Sequence, residues 1–302
     1  MDIKYNENRF KKFEGKIYFN HSLKKLNWFN IGGNTKIYFK PSTLQDLIEF
    51  LKLYKNDEKL FVLGAGSNIL FKDNLYEGTV IKLSKNFSRI SLLNENTIIA
   101  GSGVLDKSLS EFAMNNNLGG FEFLSCIPGT VGGGIRMNSG CFKSEFKDIL
   151  ISVQAINRSG EILTISDKEI NFDYRFCNLP KDLIFLSASF KGYFKDQNKA
   201  KSDVNILKEK KEKAQPTKIK TGGSTFKNPI SQTDEKVWKL IKSSVPENIS
   251  FGDATISKKH SNFFVNKNNA TYEDMQKLID FVKEKVKDKK GINLDLEIEI
   301  IK

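Results

Sequence analysis

The chain carries, between two apolar segments, the glycine-rich stretch Leu63-Gly-Ala-Gly-Ser-Asn-Ile-Leu70. Leu60-Phe-Val-Leu63 before it and Thr79-Val-Ile-Lys-Leu83 after it have the short apolar pattern of buried strands. Glycine lets a backbone approach a ligand closely and adopt positive φ, so that successive N–H groups form a nest for an anion. The stretch therefore predicts an anion-binding loop at the end of a strand.

A second loop of this kind is Ile127-Pro-Gly-Thr-Val-Gly-Gly-Gly-Ile135, which leads into Met137-Asn-Ser-Gly140. Neither loop has GxGxxG spacing, and neither is followed by the Lys-Ser/Thr pair of a P-loop. Two such loops at the ends of apolar strands suit a cofactor that carries a diphosphate. By spacing alone, a pair of tight turns without a ligand fits equally well.

The composition excludes several classes of protein. Of the 302 residues, 39% are hydrophobic and 28% are charged, which is typical of a globular chain of about two domains. No apolar run approaches the roughly 18 residues of a membrane-spanning helix, and the first residues lack the apolar segment of a signal peptide. The three cysteines show no CxxC spacing, so neither a zinc site nor a disulfide framework is expected. We expect a cytoplasmic protein without a metal site.

The chain is strongly basic, with 48 Lys and Arg residues against 36 Asp and Glu residues and a net charge of +12. A basic surface attracts either nucleic acid or an anionic small substrate, and composition leaves both open. Only arginine offers a rigid bidentate fork for a carboxylate or a phosphate. The arginines are few: Arg9, Arg89, Arg136, Arg158 and Arg175.

Residues 195–220 mark a change in composition, because lysine dominates and aromatic residues are absent. This pattern predicts a solvated helix or linker, which divides the chain into residues 1–194 and residues 195–302. In the first part we predict a helix over residues 106–116. A hairpin is predicted over residues 149–165, with its turn at Arg158-Ser-Gly160.

The C-terminal part combines a helical pattern with a strand pattern. Thr271 and Asp274 have the spacing of a capping box, and apolar residues follow at helical spacing through Val286. Apolar and polar residues then alternate over residues 292–300, which predicts a strand. The alternation puts four polar residues on one face: Asn293, Asp295, Glu297 and Glu299.

The two glycine loops, together with Met137-Asn-Ser-Gly140, resemble the flavin loops of the UDP-N-acetylenolpyruvoylglucosamine reductase family. Further motifs of the family follow in family order from about residue 27 to the C-terminus, so the resemblance covers nearly the whole chain. It is closest to the shorter subclass, which lacks an inserted tyrosine-bearing loop. These motifs are Asn27-Trp-Phe-Asn-Ile-Gly-Gly33, Phe172-Asp-Tyr-Arg175, Gly222-Gly-Ser-Thr-Phe-Lys-Asn-Pro229, Ile256-Ser-Lys-Lys-His-Ser-Asn-Phe263 and Leu294-Asp-Leu-Glu297.

The resemblance implies an α+β fold, with a two-lobed FAD-binding region of the vanillyl-alcohol-oxidase type over residues 1–194. A C-terminal α+β substrate domain is implied for residues 195–302. The cofactors implied are FAD and NADPH, and the substrate is a UDP-sugar enolpyruvyl ether that is reduced during peptidoglycan synthesis. Neither nucleic acid, nor a membrane, nor an obligate protein partner is expected.

The resemblance also implies which residues contact FAD. Arg136 and Lys143 depart from the small or apolar residues that are usual in this flavin loop. The implied contacts are Gly64, Ala65, Gly66, Ser67, Asn68, Pro128, Gly129, Thr130, Gly132 and Gly133.

Catalysis is assigned by the resemblance to Arg175, Ser224 and Glu297. An arginine beside the enolpyruvyl carboxylate binds that group and draws electron density from the double bond. The serine is implied to protonate the carbon that remains negative after hydride transfer. Asn228 and Gly223 are implied to contact the substrate.

The residues themselves leave other interpretations open. Arg175 is also placed to pair with Asp173, and Ser224 after two glycines is an ordinary turn residue with Thr225 as a second hydroxyl. Glu299 lies about 6.6 Å along the same strand face from the preceding glutamate, so the strand pattern does not choose between the two.

Two other functions are weighed against the implied one. The first is another FAD oxidoreductase of the same fold with a different substrate, which the carboxylate-directed trio of residues argues against. The second is a basic nucleic-acid-binding protein, which predicts aromatic residues interleaved with lysines on one face. The lysine-rich residues 195–220 contain no aromatic residue, so this function ranks last.

Overall fold

The computed structural model describes Phe10, residues 12–53 and residues 58–302. The chain forms two compact units that interleave along the sequence. The first unit comprises the described residues of 1–21, 35–64 and 77–200, and the second comprises residues 22–34, 65–76 and 201–302. The division of domains between residues 194 and 195 stays a prediction.

The strands are numbered in chain order. They are β1 (Lys16–Ser22), β2 (Asn34–Lys40), β3 (Lys59–Val62), β4 (Ile69–Phe71), β5 (Tyr76–Ile81), β6 (Ile90–Asn94), β7 (Thr97–Gly101), β8 (Leu118–Gly119), β9 (Gly140–Cys141), β10 (Ser144–Glu145), β11 (Leu150–Ile156), β12 (Ile162–Ser166), β13 (Phe172–Asp173), β14 (Phe176–Cys177), β15 (Ile184–Lys191), β16 (Tyr193–Phe194), β17 (Ser250–Phe251), β18 (Ala254–Ile256), β19 (Phe264–Asn266) and β20 (Glu299–Ile301).

The α-helices connect and cover these strands. They are α1 (Leu44–Leu53), α2 (Asp106–Asn115), α3 (Val131–Arg136), α4 (Gln197–Ala214), α5 (Val237–Ser244) and α6 (Tyr272–Lys290). Helices and mainly antiparallel sheets are present together, as the expected α+β class requires. In the part of the chain that the structure describes, no helix combines the length and the apolar character needed to cross a bilayer.

Two sheets form the frame of the first unit. One has the order β1-β2-β5-β3, with β3 parallel to β5, and the other is the antiparallel sheet β12-β11-β15-β7-β6. Phe39, Phe50 and Ile81 pack in the core of the first sheet. Phe146 and Phe190 are fully buried in a second core, beside the five-stranded sheet. Each glycine loop leaves or enters this frame at an element end, the first after β3 and the second before α3.

Several local predictions for the first unit are confirmed. The two predicted strands correspond to β3 and β5, and the predicted helix over residues 106–116 corresponds to α2. The hairpin is formed by β11 and β12, whose turn includes Gly160 at a φ of 86°. Glycine adopts this left-handed conformation without the steric penalty that a Cβ carries.

The second unit is built on one apolar core that includes Phe29, Phe226 and Phe264. The α6 helix contributes the apolar stripe that the sequence predicts, from Met275 to Val286. Its start is the predicted capping box, in which the Asp274 N–H donates to Thr271 Oγ1 and the Thr271 N–H donates to the Asp274 carboxylate. The predicted charged helix before this unit's loops corresponds to α4.

The predicted strand over residues 292–300 is wrong in its extent, because only β20 is regular strand. Its alternating apolar residues Leu294, Leu296, Ile298 and Ile300 all pack on the core of the second unit, so the predicted apolar face is present, but the regular strand is interrupted. The reason is that the segment changes partners: Leu296 forms a single bridge with Phe226, and β20 then pairs with β4 in parallel. The change of partner interrupts the strand ladder but leaves the apolar side chains on one face.

Candidate active site

The first glycine loop begins where β3 ends, with the Leu63 N–H donating to the Ile81 carbonyl at 2.8 Å. A Cβ on Gly64 would lie 2.6 Å from Thr130 Oγ1, which is closer than real Cβ contacts. The two glycine loops therefore meet at this point, and only glycine fits there. Thr130 is buried where the two loops make contact.

Residues 26–28 contact the second half of this loop through the backbone of Gly66. The Trp28 N–H donates to the Gly66 carbonyl at 3.0 Å. Gly66 has a φ of 69°, and a Cβ there would lie 2.3 Å from the Leu26 carbonyl oxygen. Within the described chain, the N–H groups of residues 65–67 donate to no other group, so three successive amides remain for a ligand. Such amides form an anion nest.

The second glycine loop is fixed by backbone hydrogen bonds to residues 102–106. The Asp106 N–H donates to the Gly129 carbonyl at 3.2 Å, and the Val131 N–H donates to the Val104 carbonyl at 2.9 Å. The Gly132 N–H donates to the Ser102 carbonyl at 2.9 Å. These hydrogen bonds fix the backbone between Pro128 and the start of α3.

Beneath this loop lies a carboxyl group without a partner. Asp106 is 0% exposed, and neither of its carboxyl oxygens makes a hydrogen bond among the described residues. Burial raises the pKa of the Asp106 carboxyl well above its usual range, because the charged form loses its hydration. A Cβ on Gly129 would lie 2.5 Å from Asp106 Oδ2, so the loop packs directly on this carboxyl.

These observations fit a cofactor with a diphosphate. In the second unit, the free amides of residues 65–67 are donors for an anion. In the first unit, Gly64 and Gly129 leave no side chain between the backbone and its neighbours. Arg136, one of the two unusual residues of the loop, is held by backbone carbonyls. Its guanidinium donates to the carbonyls of Leu179 and Leu183 at 2.8 and 2.9 Å.

Arg175 stands in the tight turn between β13 and β14 and has a φ of 55°. A left-handed conformation strains a residue with a long side chain, and such strain is often found at functional sites. Its Nη2 donates to the Gly140 carbonyl at 2.9 Å, and its Nη1 lies 4.0 Å from Glu145 Oε1. The guanidinium is thereby oriented by the motif that follows the second glycine loop.

Two residues that support Arg175 were not assigned a role from the sequence. Asn138 is 0% exposed, and its side-chain amide donates to Glu145 Oε2 at 2.9 Å and to the Asp173 carbonyl at 3.1 Å. Glu145 in turn lies beside the arginine. The signal in the sequence was Met137-Asn-Ser-Gly140, which the resemblance attributes to flavin binding.

Ser224 lies in an irregular ribbon of the second unit that is bound on both sides. It forms a bridge with Phe263, while Phe226 forms a bridge with Leu296 on the opposite side. The Glu297 N–H donates to the Thr225 carbonyl at 2.8 Å, so the ribbon brings Ser224 and the glutamate into neighbouring segments.

The two hydroxyls of this ribbon have different surroundings. Thr225 is 0% exposed, and its Oγ1 is buried without a hydrogen-bond partner among the described residues. Ser224 remains partly exposed. A substrate therefore has access to the serine and not to the threonine.

Asn68 joins the first glycine loop to the glutamate. Its side-chain Nδ2 donates to the Glu297 carbonyl at 2.9 Å, and the Glu299 N–H donates to the Asn68 carbonyl at 2.9 Å. The pairing of β4 with β20 continues this contact. The position of Glu297 is thus tied to the loop whose amides are free for an anion.

The two expected substrate-binding residues differ in surroundings. Asn228 Oδ1 accepts a hydrogen bond from the Val237 N–H at 3.1 Å, at the first residue of α5. Gly223 has a φ of 79°, and no atom lies within 4 Å of the position of its missing Cβ. Asn228 therefore has a structural contact, whereas Gly223 borders open space.

The structure thus brings Ser224, Glu297 and Asn68 together within the second unit. Arg175 belongs to the first unit, with the second glycine loop and its supporting residues.

Comparison with sequence families gives two matches. The family described as FAD binding domain matches residues 35–166, and the C-terminal domain of UDP-N-acetylenolpyruvoylglucosamine reductase matches residues 215–301. The first match agrees with the flavin-binding fold expected from the sequence, and the second match agrees with the expected substrate domain.

Individual relatives match over nearly the whole chain. The UDP-N-acetylenolpyruvoylglucosamine reductase of Pelagibacter ubique is 62% identical over 96% of each chain. The reductase of Rickettsia conorii is 43% identical over 93% of this chain and 94% of its own. The crystal structure of UDP-N-acetylenolpyruvylglucosamine reductase from Thermus caldophilus superposes with a TM-score of 0.82 at 28% identity, covering 95% of this chain and 99% of that one.

Proposed function

Because the chain belongs to the UDP-N-acetylenolpyruvoylglucosamine reductase family, we propose that it reduces UDP-N-acetylenolpyruvoylglucosamine to UDP-N-acetylmuramate for peptidoglycan synthesis. FAD is the cofactor and NADPH the reductant. The observation that carries the proposal is the contact of Asn68 with Glu297, which joins an anion-binding glycine loop to the expected catalytic glutamate.

Reduction of the substrate adds a hydride to the CH2 carbon of the enol ether and a proton to the neighbouring carbon, which bears the carboxylate. Reduced FAD, when bound, supplies the hydride. The residues that we expect to hold FAD are Gly64, Ala65, Gly66, Ser67, Asn68, Pro128, Gly129, Thr130, Gly132 and Gly133. The support for this set is the three free amides of the first loop and the close backbone approach in both loops.

Arg175 is proposed to bind the substrate carboxylate. Negative charge accumulates on that group as the hydride adds, and a guanidinium that is already oriented stabilises this charge without rearranging. The orientation is supplied by the Gly140 carbonyl and by Glu145.

Ser224 is proposed to donate the proton to the carbon beside the carboxylate. Its partial exposure supports this role, while the complete burial of Thr225 argues against the neighbouring hydroxyl. Glu297 is assigned to the charge on the substrate carboxylate. Its backbone is fixed for this role, because the Glu297 N–H donates to the Thr225 carbonyl and the Glu297 carbonyl accepts from Asn68.

The remaining parts of the proposal concern recognition and location. Gly223 borders open space in which the substrate has room to lie, and Asn228 is proposed as a further contact. The net charge of +12 suits a substrate with a diphosphate and a carboxylate. We place the reaction in the cytoplasm and assign it no obligate protein partner, since both reactants are small soluble anions.

The proposal is tested with the purified full chain. The protein should be yellow, release FAD on denaturation and oxidise NADPH rapidly only when UDP-N-acetylenolpyruvoylglucosamine is added. A colourless protein that FAD does not reconstitute, or NADPH oxidation that ignores the substrate, overturns the proposal.

A further inference from the structure

The backbone N–H and carbonyl of Phe226 are buried, and both are hydrogen-bonded by the side chain of Asn262. Phe226 is 0% exposed, and the ribbon's hydrogen bonds to the segment of Leu296 are made by the neighbouring residues Thr225 and Lys227. The N–H and the carbonyl of Phe226 therefore point to the opposite side. There the Phe226 N–H donates to Asn262 Oδ1 at 3.0 Å, and Asn262 Nδ2 donates to the Phe226 carbonyl at 2.9 Å.

Asparagine is suited to this position for a simple reason. Its side-chain amide has one acceptor and one donor group in a plane, as a peptide has, and so it replaces a missing strand. Asn262 is 2% exposed, which means that water does not take over these bonds. An unsatisfied peptide group in such surroundings costs about 1–3 kcal/mol.

The hydrogen bonds of Asn262 hold the backbone next to both Ser224 and Glu297. Its backbone carbonyl accepts the Thr225 N–H at 2.8 Å, directly after Ser224. The carbonyl of Thr225 accepts the Glu297 N–H at 2.8 Å. On the side opposite Leu296, Asn262 thereby holds the backbone between the proposed proton donor and the proposed glutamate, next to the bridge of Ser224 with Phe263.

We propose that Asn262 is a positioning residue that fixes Ser224 and Glu297 relative to each other for the proton-transfer half of the reaction. The inference rests on the proposed function. Because a displacement of about 1 Å at a reacting group lowers the rate about 10²-fold, the effect of losing these bonds is measurable.

Asn266 provides a matched control in the same unit. It is also 2% exposed, and its side-chain amide likewise makes one bond in each direction: it donates to the Phe29 carbonyl at 2.8 Å and accepts the Ala270 N–H at 2.9 Å. Neither partner belongs to the ribbon. Substitution of Asn266 removes comparable buried bonds without touching the backbone of Ser224 or Glu297.

The test uses FAD-loaded Asn262→Asp and Asn266→Asp and follows the two half-reactions separately. An ionised aspartate keeps the acceptor for the Phe226 N–H but sets an oxygen against the Phe226 carbonyl. At about pH 8.5, flavin reoxidation by UDP-N-acetylenolpyruvoylglucosamine should therefore be about 10²-fold slower than in the wild type. Flavin reduction by NADPH should stay within about threefold, since that half-reaction needs no proton from Ser224.

Lower pH should rescue the same variant. A buried carboxyl has a raised pKa, so at about pH 5.5 the aspartic acid is protonated and donates to the Phe226 carbonyl as asparagine does. The deficit should shrink to less than about tenfold there. Each rate is divided by the wild-type rate at the same pH, which removes the pH effects that the two proteins share.

Three results overturn the inference: equal slowing of both half-reactions in Asn262→Asp, reoxidation at the wild-type rate, or the same reoxidation defect in Asn266→Asp. Should Asn262→Asp fail to fold at about pH 5.5, Asn262→Gln against Asn266→Gln makes the same comparison with a displaced amide. Failure of the proposed function has a different signature, because the wild-type flavin is then not reoxidised by the substrate.

Discussion

The two units hold their functional loops by different means. In the first unit, the absence of side chains at Gly64 and Gly129 lets the loops pack closely, and the buried carboxyl of Asp106 is left without a partner. In the second unit, the side-chain amides of Asn68 and Asn262 bind the backbone of the loops directly. The loops of the first unit depend on missing side chains, and those of the second unit depend on side-chain hydrogen bonds to the backbone.

The difference indicates what each unit is prepared for. The buried, unpartnered carboxyl of the first unit carries a free-energy cost that a ligand or a neutral protonation state relieves. Satisfied amides instead fix a backbone before any ligand arrives, which is what a proton donor requires. We therefore expect substitutions in the first unit to change cofactor affinity and stability, and substitutions in the ribbon of the second unit to change one chemical step.

The largest expected effect is that of Ser224→Ala. Loss of a general acid slows its step by about 10²–10⁴-fold, so flavin reoxidation by the substrate should fall by that factor. Flavin reduction by NADPH should be nearly unchanged. Stopped-flow absorbance of the flavin measures both rates.

Thr225→Val is the matched control for this prediction. Its hydroxyl is buried without a hydrogen-bond partner in the described chain, so valine should leave both half-reactions unchanged and stability equal or slightly higher. A large defect in Thr225→Val beside a normal Ser224→Ala would move the proton donor by one residue and remove the distinction between the two hydroxyls.

Arg175→Lys tests whether a strained turn in the first unit acts on the substrate. A lysine lacks the planar fork that binds a carboxylate with two bonds, so reoxidation by the substrate should slow by about 10–10²-fold. Reduction by NADPH should continue. Rapid-mixing measurements of both half-reactions decide the matter, and an equal loss in both indicates that Arg175 only maintains the fold of the turn.

Gly64→Ala tests the close packing of the two glycine loops. The new Cβ would lie 2.6 Å from Thr130 Oγ1, so the loops have to separate. Overpacking costs about 1–3 kcal/mol, which corresponds to an FAD affinity about 5–150-fold lower. Quenching of FAD fluorescence by the apoprotein measures the affinity.

A double-mutant cycle identifies the cause of this effect. In Gly64→Ala/Thr130→Ala the clashing oxygen is gone, and Thr130 Cβ lies at an ordinary 3.9 Å. The double variant should bind FAD no more weakly than Thr130→Ala alone. Additive losses would show that the clash is not what lowers the affinity.

The smallest expected effect is the pH dependence of stability due to Asp106. Its raised pKa means that the folded chain binds a proton that the unfolded chain has released above about pH 3.9, so the free energy of unfolding falls as pH rises through this window. Asp106→Asn removes this loss. The difference in melting temperature, variant minus wild type, should rise by a few degrees between about pH 4 and pH 8. A change of 1 kcal/mol in stability corresponds to about 2–4 °C.

Asp46, in the same unit, is a buried carboxylate that has hydrogen-bond partners, and it serves as the control for Asp106. Its carboxylate accepts the N–H groups of Glu14 and Ser42 at 3.1 and 3.0 Å. Asp46→Asn should therefore lower the melting temperature at about pH 8, in the opposite direction to Asp106→Asn. A gain in both variants would mean that the missing partner of Asp106 is not the cause.

Much of the fold could be predicted from local patterns. The helix α6 follows from its capping box and apolar spacing. The glycine loops were located correctly because glycines that follow an apolar run are a local signal of a loop. The failed prediction is the strand over residues 292–300. Its sequence alternates, but the segment has two successive partners, and partners are a property of the whole fold.

The candidate site could be predicted only in part, for the same reason. The motifs point to Arg175, Ser224 and Glu297, whose roles stay predictions. The residues that support them, Asn138 and Asn262, stand far from them in sequence and act through backbone carbonyls and amides. Such contacts depend on tertiary pairing and leave no spacing in the sequence.

The proposed reaction transfers reducing equivalents from NADPH through FAD to an enolpyruvyl ether. The direct test is a single turnover without oxygen: the FAD-loaded protein is reduced with NADPH and then mixed with UDP-N-acetylenolpyruvoylglucosamine. We expect the visible absorbance of oxidised flavin to return at once and UDP-N-acetylmuramate to form in equal amount. Flavin that stays reduced until oxygen is admitted would contradict it.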